Sequence, residues 1–260
     1  MGAIKREERI GSQRLLLGNC LEIMAELDGV DHCISDPPYE DEYQTAKSQI
    51  KRTDGQSWGV GESFSESLGF DGISSIRDEM ISQAKRLSGG WFIAFTIAEG
   101  VRAYRDSLQE AGFKYDTCLA WVKPDAAPRF NGQGAARGFE CAVTAWAGTG
   151  YRKWNAGGKR GVYTHCVNTN RYGGHPTEKP LPLMMEIIKD FTNHGQTVLD
   201  PFCGSGTTIV ACEKMGRHGI GIEMNEEYFN LACRRVEEAT RQPDMFIAAP
   251  EPVYKQEGLF

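Results

Sequence analysis

Residues 197–208 read Thr-Val-Leu-Asp-Pro-Phe-Cys-Gly-Ser-Gly-Thr-Thr, and this stretch decides the fold. A short apolar strand over residues 197–199 runs into a turn whose two glycines, at 204 and 206, allow tight bending and close backbone approach by a ligand. The helical run that follows, residues 207–215, presents its first N–H groups to an anionic group such as a carboxylate. The stretch therefore predicts a strand, a ligand-binding turn and a helix.

A second strand-like run, residues 218–222, follows that helix and ends at Glu223. An acid at the tip of the second strand is placed to accept hydrogen bonds from ribose hydroxyls. Strand, glycine turn, helix, strand and acid together indicate a site for a nucleoside cofactor. The turn is not the dinucleotide form Gly-x-Gly-x-x-Gly, and a glycine turn alone would be a weak signal.

Another apolar run, residues 30–35, ends in Asp36-Pro37-Pro38-Tyr39. Two consecutive prolines cannot continue a sheet ladder because neither has an N–H group, so the backbone turns away and leaves carbonyl oxygens unpaired. A carboxylate and a carbonyl beside the Tyr39 ring suit a planar ring that carries an exocyclic amine. The structural alternative is an Asp-Pro turn closed by a packed tyrosine.

Together these stretches resemble the amino-methyltransferases of DNA, which transfer a methyl group from S-adenosylmethionine to a base amine. Three motifs carry the resemblance: the tetrad at 36–39, the turn at 200–208 and His-Pro-Thr-Glu-Lys-Pro at 175–180. Because three motifs occur in the family's order, the signal is more specific than any one of them. The tetrad precedes the cofactor turn, as in the circularly permuted β group of that family, and the similarity extends over roughly residues 13–236.

The resemblance implies a set of site residues. The catalytic residues are Asp36, Pro37, Pro38 and Tyr39. Asn19 stands where the family usually has Asp, and Thr177 and Lys179 are expected near the carboxylate of the cofactor. The implied cofactor-binding residues are Asn19, Asp36, Thr177, Lys179, Asp200, Phe202, Gly204, Ser205, Gly206, Thr207 and Glu223.

An Asp at the first tetrad position points to the N6 amine of adenine, whereas related enzymes with Ser there mostly act on cytosine N4. Three alternatives stay open at this point. Cytosine presents a similar amine, an RNA substrate would share the base chemistry, and a cofactor-binding DNA protein could have lost catalysis.

Alternating strand and helix patterns predict an α/β fold with a mostly parallel sheet covered on both faces. The resemblance makes this the Rossmann-like fold of S-adenosylmethionine-dependent methyltransferases, circularly permuted and with seven strands. We expect one catalytic domain over residues 1–242 and a C-terminal tail over 243–260. Residues 40–71 are polar and aperiodic, which predicts either a flap over DNA or cofactor or a structureless insertion.

The formal net charge of −6 is unevenly divided along the chain. Residues 120–179 carry nine Lys or Arg against three acids, a local charge of +6, and phosphate binding requires such a local basic surface. By position, residues 123–174 resemble the family's target-recognition region and are predicted to face double-stranded DNA; a solvated loop is the alternative. The predicted DNA-binding residues are Arg52, Lys123, Arg129, Arg137, Arg152, Lys153, Lys159, Arg160 and Arg171.

The short recognition region is compatible with a short target sequence or with help from a second subunit in a homodimer. The last five residues, Gln256–Phe260, resemble the peptide by which bacterial repair proteins dock on the sliding clamp, with a departure at the second position. The eight scattered cysteines and the absence of a signal-peptide core or an apolar run of membrane-spanning length predict a cytoplasmic location. No His and Cys spacing indicates a metal site.

Overall fold

The computed structural model describes residues 2–39, 73–129, 132–167 and 178–241. Its strands are β1 Arg6–Ile10, β2 Gln13–Leu17, β3 His32–Ser35, β4 Trp91–Thr96, β5 Lys114–Val122, β6 Phe139–Trp146, β7 Val162–Thr164, β8 Thr197–Asp200 and β9 His218–Glu223. Its helices are α1 Cys20–Glu26, α2 Arg77–Leu87, α3 Val101–Glu110, α4 Leu181–Phe191, α5 Thr207–Met215 and α6 Glu226–Arg241.

Some predicted features lie outside the described residues. These are the flap at 40–71, the tail at 243–260, and the site residues Arg52, Arg171 and Thr177. The homodimer and the docking of the last five residues on a sliding clamp stay predictions. Among the helices of the described part of the chain, none has the length and apolar character to cross a membrane.

The strands form one sheet in the order β1-β2-β9-β8-β3-β4-β6-β5-β7. Parallel ladders join β2 to β9, β9 to β8, β8 to β3, β3 to β4 and β5 to β7. The ladders β1–β2, β4–β6 and β5–β6 are antiparallel. The α/β class and the mostly parallel sheet are confirmed, and the described sheet has nine strands rather than the seven expected.

The two additional strands are at the two ends of the sheet. β1 lies in an N-terminal stretch whose charged residues give little strand signal, and it pairs with β2 through a tight turn at Gly11, which adopts a positive φ of 58°. β7 has three residues and is held beside β5. Both are set by pairing with a neighbour, which local composition does not reveal.

The direction of the strands defines two edges of the sheet. Strands β2, β3, β4, β8 and β9 run parallel and end at one edge, here called the carboxyl edge; the opposite one is the amino edge. Because β6 is antiparallel to β4, its first residues, Phe139 and Glu140, also lie at the carboxyl edge. Ligands of such sheets bind outside the carboxyl ends of the strands.

Helices cover both faces of the sheet, as the alternating pattern predicts. On one face α1, α2 and α3 bury Met24, Met80 and Leu108 against the sheet. On the other face α4 and α5 pack Ile187 and Ala211 against their strands, and α6 closes the same side over β2. Three tryptophans on the strands are buried in the core: Trp91, Trp121 and Trp146.

The loop between β8 and α5, residues 201–206, is shaped by two glycines with positive φ. Gly204 has φ +52°, and a Cβ added there would meet no atom within 4 Å. Gly206 has φ +85°, and a Cβ there would lie 2.8 Å from the Cβ of Ala232 on α6. Gly206 is therefore required for packing as well as for its backbone angle, while Gly204 is required for its angle alone.

This difference predicts unequal effects of the same substitution. Gly206→Ala is expected to destabilise the protein by about 3 kcal/mol, because left-handed backbone strain and overpacking against α6 add together. Gly204→Ala carries only the backbone strain and should cost about 1 kcal/mol. Urea unfolding without cofactor measures both, and equal losses in the two variants would contradict the packing role of Gly206.

Candidate active site

The pairing of β3 with β8 brings the two motif stretches together. The strands are parallel neighbours, so the tetrad and the glycine loop both begin at the carboxyl edge. Ser35 Oγ, directly before the tetrad, donates a hydrogen bond of 2.5 Å to Asp200 Oδ1. The same oxygen accepts from the N–H of Phe202 at 3.1 Å. The end of one strand is thereby fastened to the start of the cofactor turn.

Asp200 is buried in this junction. Burial raises the pKa of its carboxyl to about 6, although the hydrogen bonds from Ser35, Thr208 and the Phe202 N–H act in the opposite direction. The negative charge of Asp36 adds to the rise. Asp200 therefore serves as the acceptor that shapes the turn, and its Oδ1 is bound by Ser35 and Phe202 of the protein itself.

Glu223 lies at the end of β9, as the sequence predicts. Its carboxylate accepts hydrogen bonds from the N–H groups of Gly204 at 2.9 Å and Asn225 at 2.7 Å. The side chain is buried, and burial raises its pKa while those N–H groups oppose the rise. A carboxylate has about four acceptor positions, so two bonds to the turn leave capacity for hydroxyl groups of a ligand.

The N-terminus of α1 lies beside Gly204 and Glu223. The space between these three elements at the carboxyl edge is here called the crevice. Asn19 follows β2, whose last residue pairs with Glu223, and its side chain caps the helix by accepting from the N–H of Leu21 at 2.9 Å. The expected cofactor residues Asn19, Glu223 and Gly204 therefore meet at the same edge of the sheet. The cap uses the Asn19 oxygen within the protein.

The side chains of Ser205 and Thr207 point away from this crevice, toward α6. Arg235 donates to Ser205 Oγ at 2.7 Å and to Thr207 Oγ1 at 3.1 Å. Its guanidinium also pairs with Glu178 Oε1 at 2.5 Å, and both side chains of this ion pair are nearly fully buried. Cofactor contacts by Ser205 and Thr207 would thus have to come from their backbone, because their side chains support the turn from behind.

The tetrad carries a second group of charges. Lys179 Nζ lies 2.6 Å from Asp36 Oδ2 and 3.3 Å from the hydroxyl of Tyr39. That hydroxyl donates to Glu140 Oε2 at 2.7 Å, and Lys179 lies 3.4 Å from the same oxygen. Lys123 also forms an ion pair with Glu140. Lys179 therefore lies against Asp36 in this structure, and its contact with the cofactor carboxylate stays a prediction.

The pKa values in this charge cluster follow from burial and from the two lysines. Burial raises the pKa of Asp36, and Lys179 opposes that rise. Burial alone would also raise the pKa of Glu140, but Lys179 and Lys123 outweigh it and bring that pKa to about 2. Lys179 is itself buried, and the carboxylates of Asp36 and Glu140 raise its pKa despite the burial.

One oxygen in the cluster has no hydrogen-bond partner among the residues that the structure describes. Asp36 Oδ1 is buried and accepts no hydrogen bond from any described residue. A buried acceptor without a donor is costly, so such an atom points to a ligand that supplies the donor. The tetrad therefore presents an acceptor and the Tyr39 ring at the carboxyl edge.

Sequence reasoning missed three residues of this site. Glu178 belongs to the motif at 175–180, in which the resemblance assigns roles to Thr177 and Lys179 but not to Glu178. Arg235 lies on the apolar face of a helix, where an arginine is a signal of a buried ion pair. Glu140 stands alone at the start of a strand and carries no local sequence signal.

The structure divides the predicted DNA-facing region between the two edges. The β5–β6 loop, with Arg129 and Arg137, lies at the carboxyl edge, and Arg137 pairs with Glu99 at 2.8 Å. Lys123 of the same loop is mostly buried in its pair with Glu140. DNA contacts by these residues stay predictions.

The β6–β7 loop begins instead at the amino edge, because β6 carries the chain back across the sheet. There the Lys153 carbonyl accepts from the indole of Trp91, at the first residue of β4, and Arg152 pairs with Asp116. Arg152 and Lys153 thus lie at the edge opposite Asp36, and DNA contacts by these two residues stay predictions. Lys159 pairs with Glu186 and Asp190 on α4, and Arg160 is exposed before β7.

Comparison with known proteins agrees with this geometry. Residues 30–234 match the family model described as DNA methylase, of the N6 and N4 type. The chain belongs to this DNA methylase family. It is 27% identical over 250 residues to the type II methyltransferase M2.MboI of Moraxella bovis, covering 86% of this chain and 87% of that protein. It is 28% identical over 229 residues to M2.DpnII of Streptococcus pneumoniae, covering 81% and 83%.

Among solved structures, the crystal structure of the M1.HpyAVI–SAM complex matches with a TM-score of 0.66 and 26% identity. The match covers 86% of this DNA methylase and 98% of that chain. The cofactor of this methylase is S-adenosylmethionine. Its own residues fit that group, since open space beside Gly204 adjoins the buried carboxylate of Glu223 and the N-terminus of α5.

The buried pair behind the cofactor turn gives a stability prediction. Arg235→Met should destabilise the methylase by about 3–5 kcal/mol, because Glu178 would be left as an unpaired buried charge. Arg234→Met is the matched control on the exposed side of the same helix and should change stability by less than about 0.5 kcal/mol. Chemical denaturation followed by circular dichroism measures both; similar midpoints for the two variants would contradict the role of the pair.

Proposed function

We propose that this DNA methyltransferase transfers a methyl group to the N6 amine of an adenine that has been flipped out of double-stranded DNA. The observation that carries the proposal is Oδ1 of Asp36, a buried acceptor in the tetrad that has no donor within the described part of the chain. The family supplies the DNA substrate class and the base amine. The choice of adenine depends on the Asp at the first tetrad position.

The amine of adenine is a poor nucleophile because its lone pair is delocalised into the ring. Asp36 Oδ1 and the carbonyl of Pro37 would accept hydrogen bonds from its two N–H groups. These bonds favour a geometry in which the lone pair is localised on nitrogen and directed out of the ring plane. S-adenosylmethionine supplies the methyl group as an electrophile.

Alignment of the amine contributes much of the rate in an oriented displacement of this kind. Tyr39 would stack on the extruded base, since its hydroxyl is held by Glu140 and its ring lies beside Asp36 and Lys179. Extrusion is required because an amine within a duplex cannot reach a buried acceptor. Asp36 acts first as an acceptor, and its raised pKa suits it to take the proton that the amine must lose after transfer.

Cytosine N4 is the second candidate, because the same family methylates both amines and cytosine presents the same pair of N–H donors. A smaller pyrimidine ring would have to reach the same oxygen. The two bases are separated by their products. A catalytically silent DNA-binding protein, or an enzyme that acts on RNA, would give no methylated product on DNA in the same assay.

The experiment uses the full chain, unmethylated bacterial genomic DNA and S-adenosylmethionine with a labelled methyl group. Deoxynucleosides released by digestion are identified by mass spectrometry, and N6-methyldeoxyadenosine is the expected product. Sequencing that detects the modified base then gives the target sequence. N4-methylcytosine as the product would overturn the adenine proposal, and no product on DNA would overturn the DNA substrate.

Removal of the acceptor predicts a selective loss of chemistry. Asp36→Ala should lower the rate of methyl transfer by about 100-fold or more, because the amine loses its charged acceptor. The affinity for S-adenosylmethionine, measured by calorimetry, should change only a few-fold. Asp28→Ala, an exposed carboxylate in the loop before β3, is the control and should keep full activity. Full activity in Asp36→Ala would refute the acceptor role.

A further inference from the structure

The dipeptide Glu178-Lys179 sends its two side chains to different parts of the site. Glu178 pairs with Arg235 behind the glycine turn. Lys179 reaches the tetrad, where its ammonium lies 2.6 Å from Asp36 Oδ2. Only 5% of the Lys179 side chain is exposed, so this ammonium is committed to the carboxylates around it. This contact indicates that Lys179 acts on Asp36.

We propose that Lys179 and Glu140 act as positioning residues for the catalytic tetrad: Lys179 occupies Oδ2 of Asp36 and leaves Oδ1 to the target amine, while Glu140 holds the hydroxyl of Tyr39. The inference rests on the proposed function, because it assigns a purpose to the acceptor and the ring of the tetrad. It concerns residues that would not touch the base or the cofactor.

The contacts of Asp36 support different roles for its two carboxylate oxygens. Oδ2 is bound by Lys179, whereas Oδ1 has no donor among the described residues. A carboxylate held at one oxygen by a buried ammonium loses the freedom to rotate, and this fixes the direction of the other oxygen. Pre-organisation of this kind avoids an entropic cost when the substrate binds.

The Tyr39 ring is held in a similar way. Its hydroxyl donates to Glu140 Oε2 at 2.7 Å, and Lys179 lies 5.4 Å from the ring centroid. Glu140 is held in turn by an ion pair with Lys123. Lys179 and Lys123 together lower the pKa of Glu140 to about 2, so Glu140 stays ionised and accepts the hydrogen bond from Tyr39. The stacking surface for a base is thus fastened to β6 rather than left to rotate.

The charges around Asp36 determine its pH behaviour. Lys179 and Lys123 stabilise its carboxylate, Glu140 opposes ionisation, and Asp200 lies one strand away in electrostatic contact with it. Removal of Lys179 leaves the burial of Asp36 uncompensated, so the pKa of Asp36 must rise. Removal of the Glu140 charge takes away a repulsion, so the pKa of Asp36 must fall.

The test measures the pH dependence of single-turnover methyl transfer between pH 5 and 9. The substrate is a duplex that carries the mapped target sequence, with saturating S-adenosylmethionine. For Lys179→Met, the acid limb of the profile should move up by about 1–3 pH units, the size of shift that one nearby charge produces. For Glu140→Gln, which keeps an acceptor for the Tyr39 hydroxyl, the limb should move to lower pH.

Lys114→Met is the control, because that lysine lies at the amino edge and bonds the Thr149 carbonyl at 3.2 Å. Its pH profile should match the unaltered protein. Calorimetry with S-adenosylmethionine provides a second readout, in which Lys179→Met should keep its affinity within a few-fold. A loss of cofactor affinity by tenfold or more, with an unshifted acid limb, would overturn the proposal and assign Lys179 to the cofactor carboxylate.

The Tyr39 contact is tested by a double-mutant cycle of Tyr39→Phe and Glu140→Ala. If Glu140 acts through the tyrosine hydroxyl, the double variant should lose little more rate than Glu140→Ala alone. Full additivity of the two losses would overturn this part. A methylated cytosine as product would refute the adenine assignment and leave these pH shifts to be observed on cytosine, so the two proposals fail separately.

Discussion

The parallel pairing of β3 with β8 is the constraint on which the rest of the site depends. It places the last residue of one strand next to the last residue of the other, and the Ser35–Asp200 hydrogen bond fastens them. The prolines that follow Asp36 and the glycines that follow Asp200 then turn the chain away from the same edge. In the proposed reaction, the base amine and the methyl donor would meet at this edge.

Buried charge holds that crevice in shape. Adjacent residues supply one member of each of two charge clusters. Glu178 pairs with Arg235 behind the glycine turn, and Lys179 pairs with Asp36 at the tetrad. An isolated buried charge would be expensive, and each of these is compensated by a partner from a distant part of the chain. The two halves of the site are therefore linked by adjacent residues whose displacement would disturb both.

Much of the site was readable from local sequence, because the motifs carry their own backbone chemistry. A double proline ends a strand, a glycine pair makes a turn, and an acid at a strand end faces a ligand in any fold of this class. Arg235 and Glu140 could not be assigned in this way, since Arg235 pairs with Glu178 and Glu140 holds Tyr39, both of which are distant in the sequence. The edge of the sheet at which Arg152 and Lys153 lie could not be predicted, because composition does not tell which edge a loop occupies.

The sequence by itself determined the family, the α/β class, the chain order of the seven strands from β2 to β6, β8 and β9, and the places of the tetrad and turn at strand ends, because these follow from local residue chemistry. Only the tertiary structure decided that Lys179 lies on Asp36, that Glu140 holds Tyr39, and that the basic region is split between two edges. The physical reason is that strand neighbours and strand directions are set by burial and pairing across the whole sheet. Electrostatic partners follow from those neighbours.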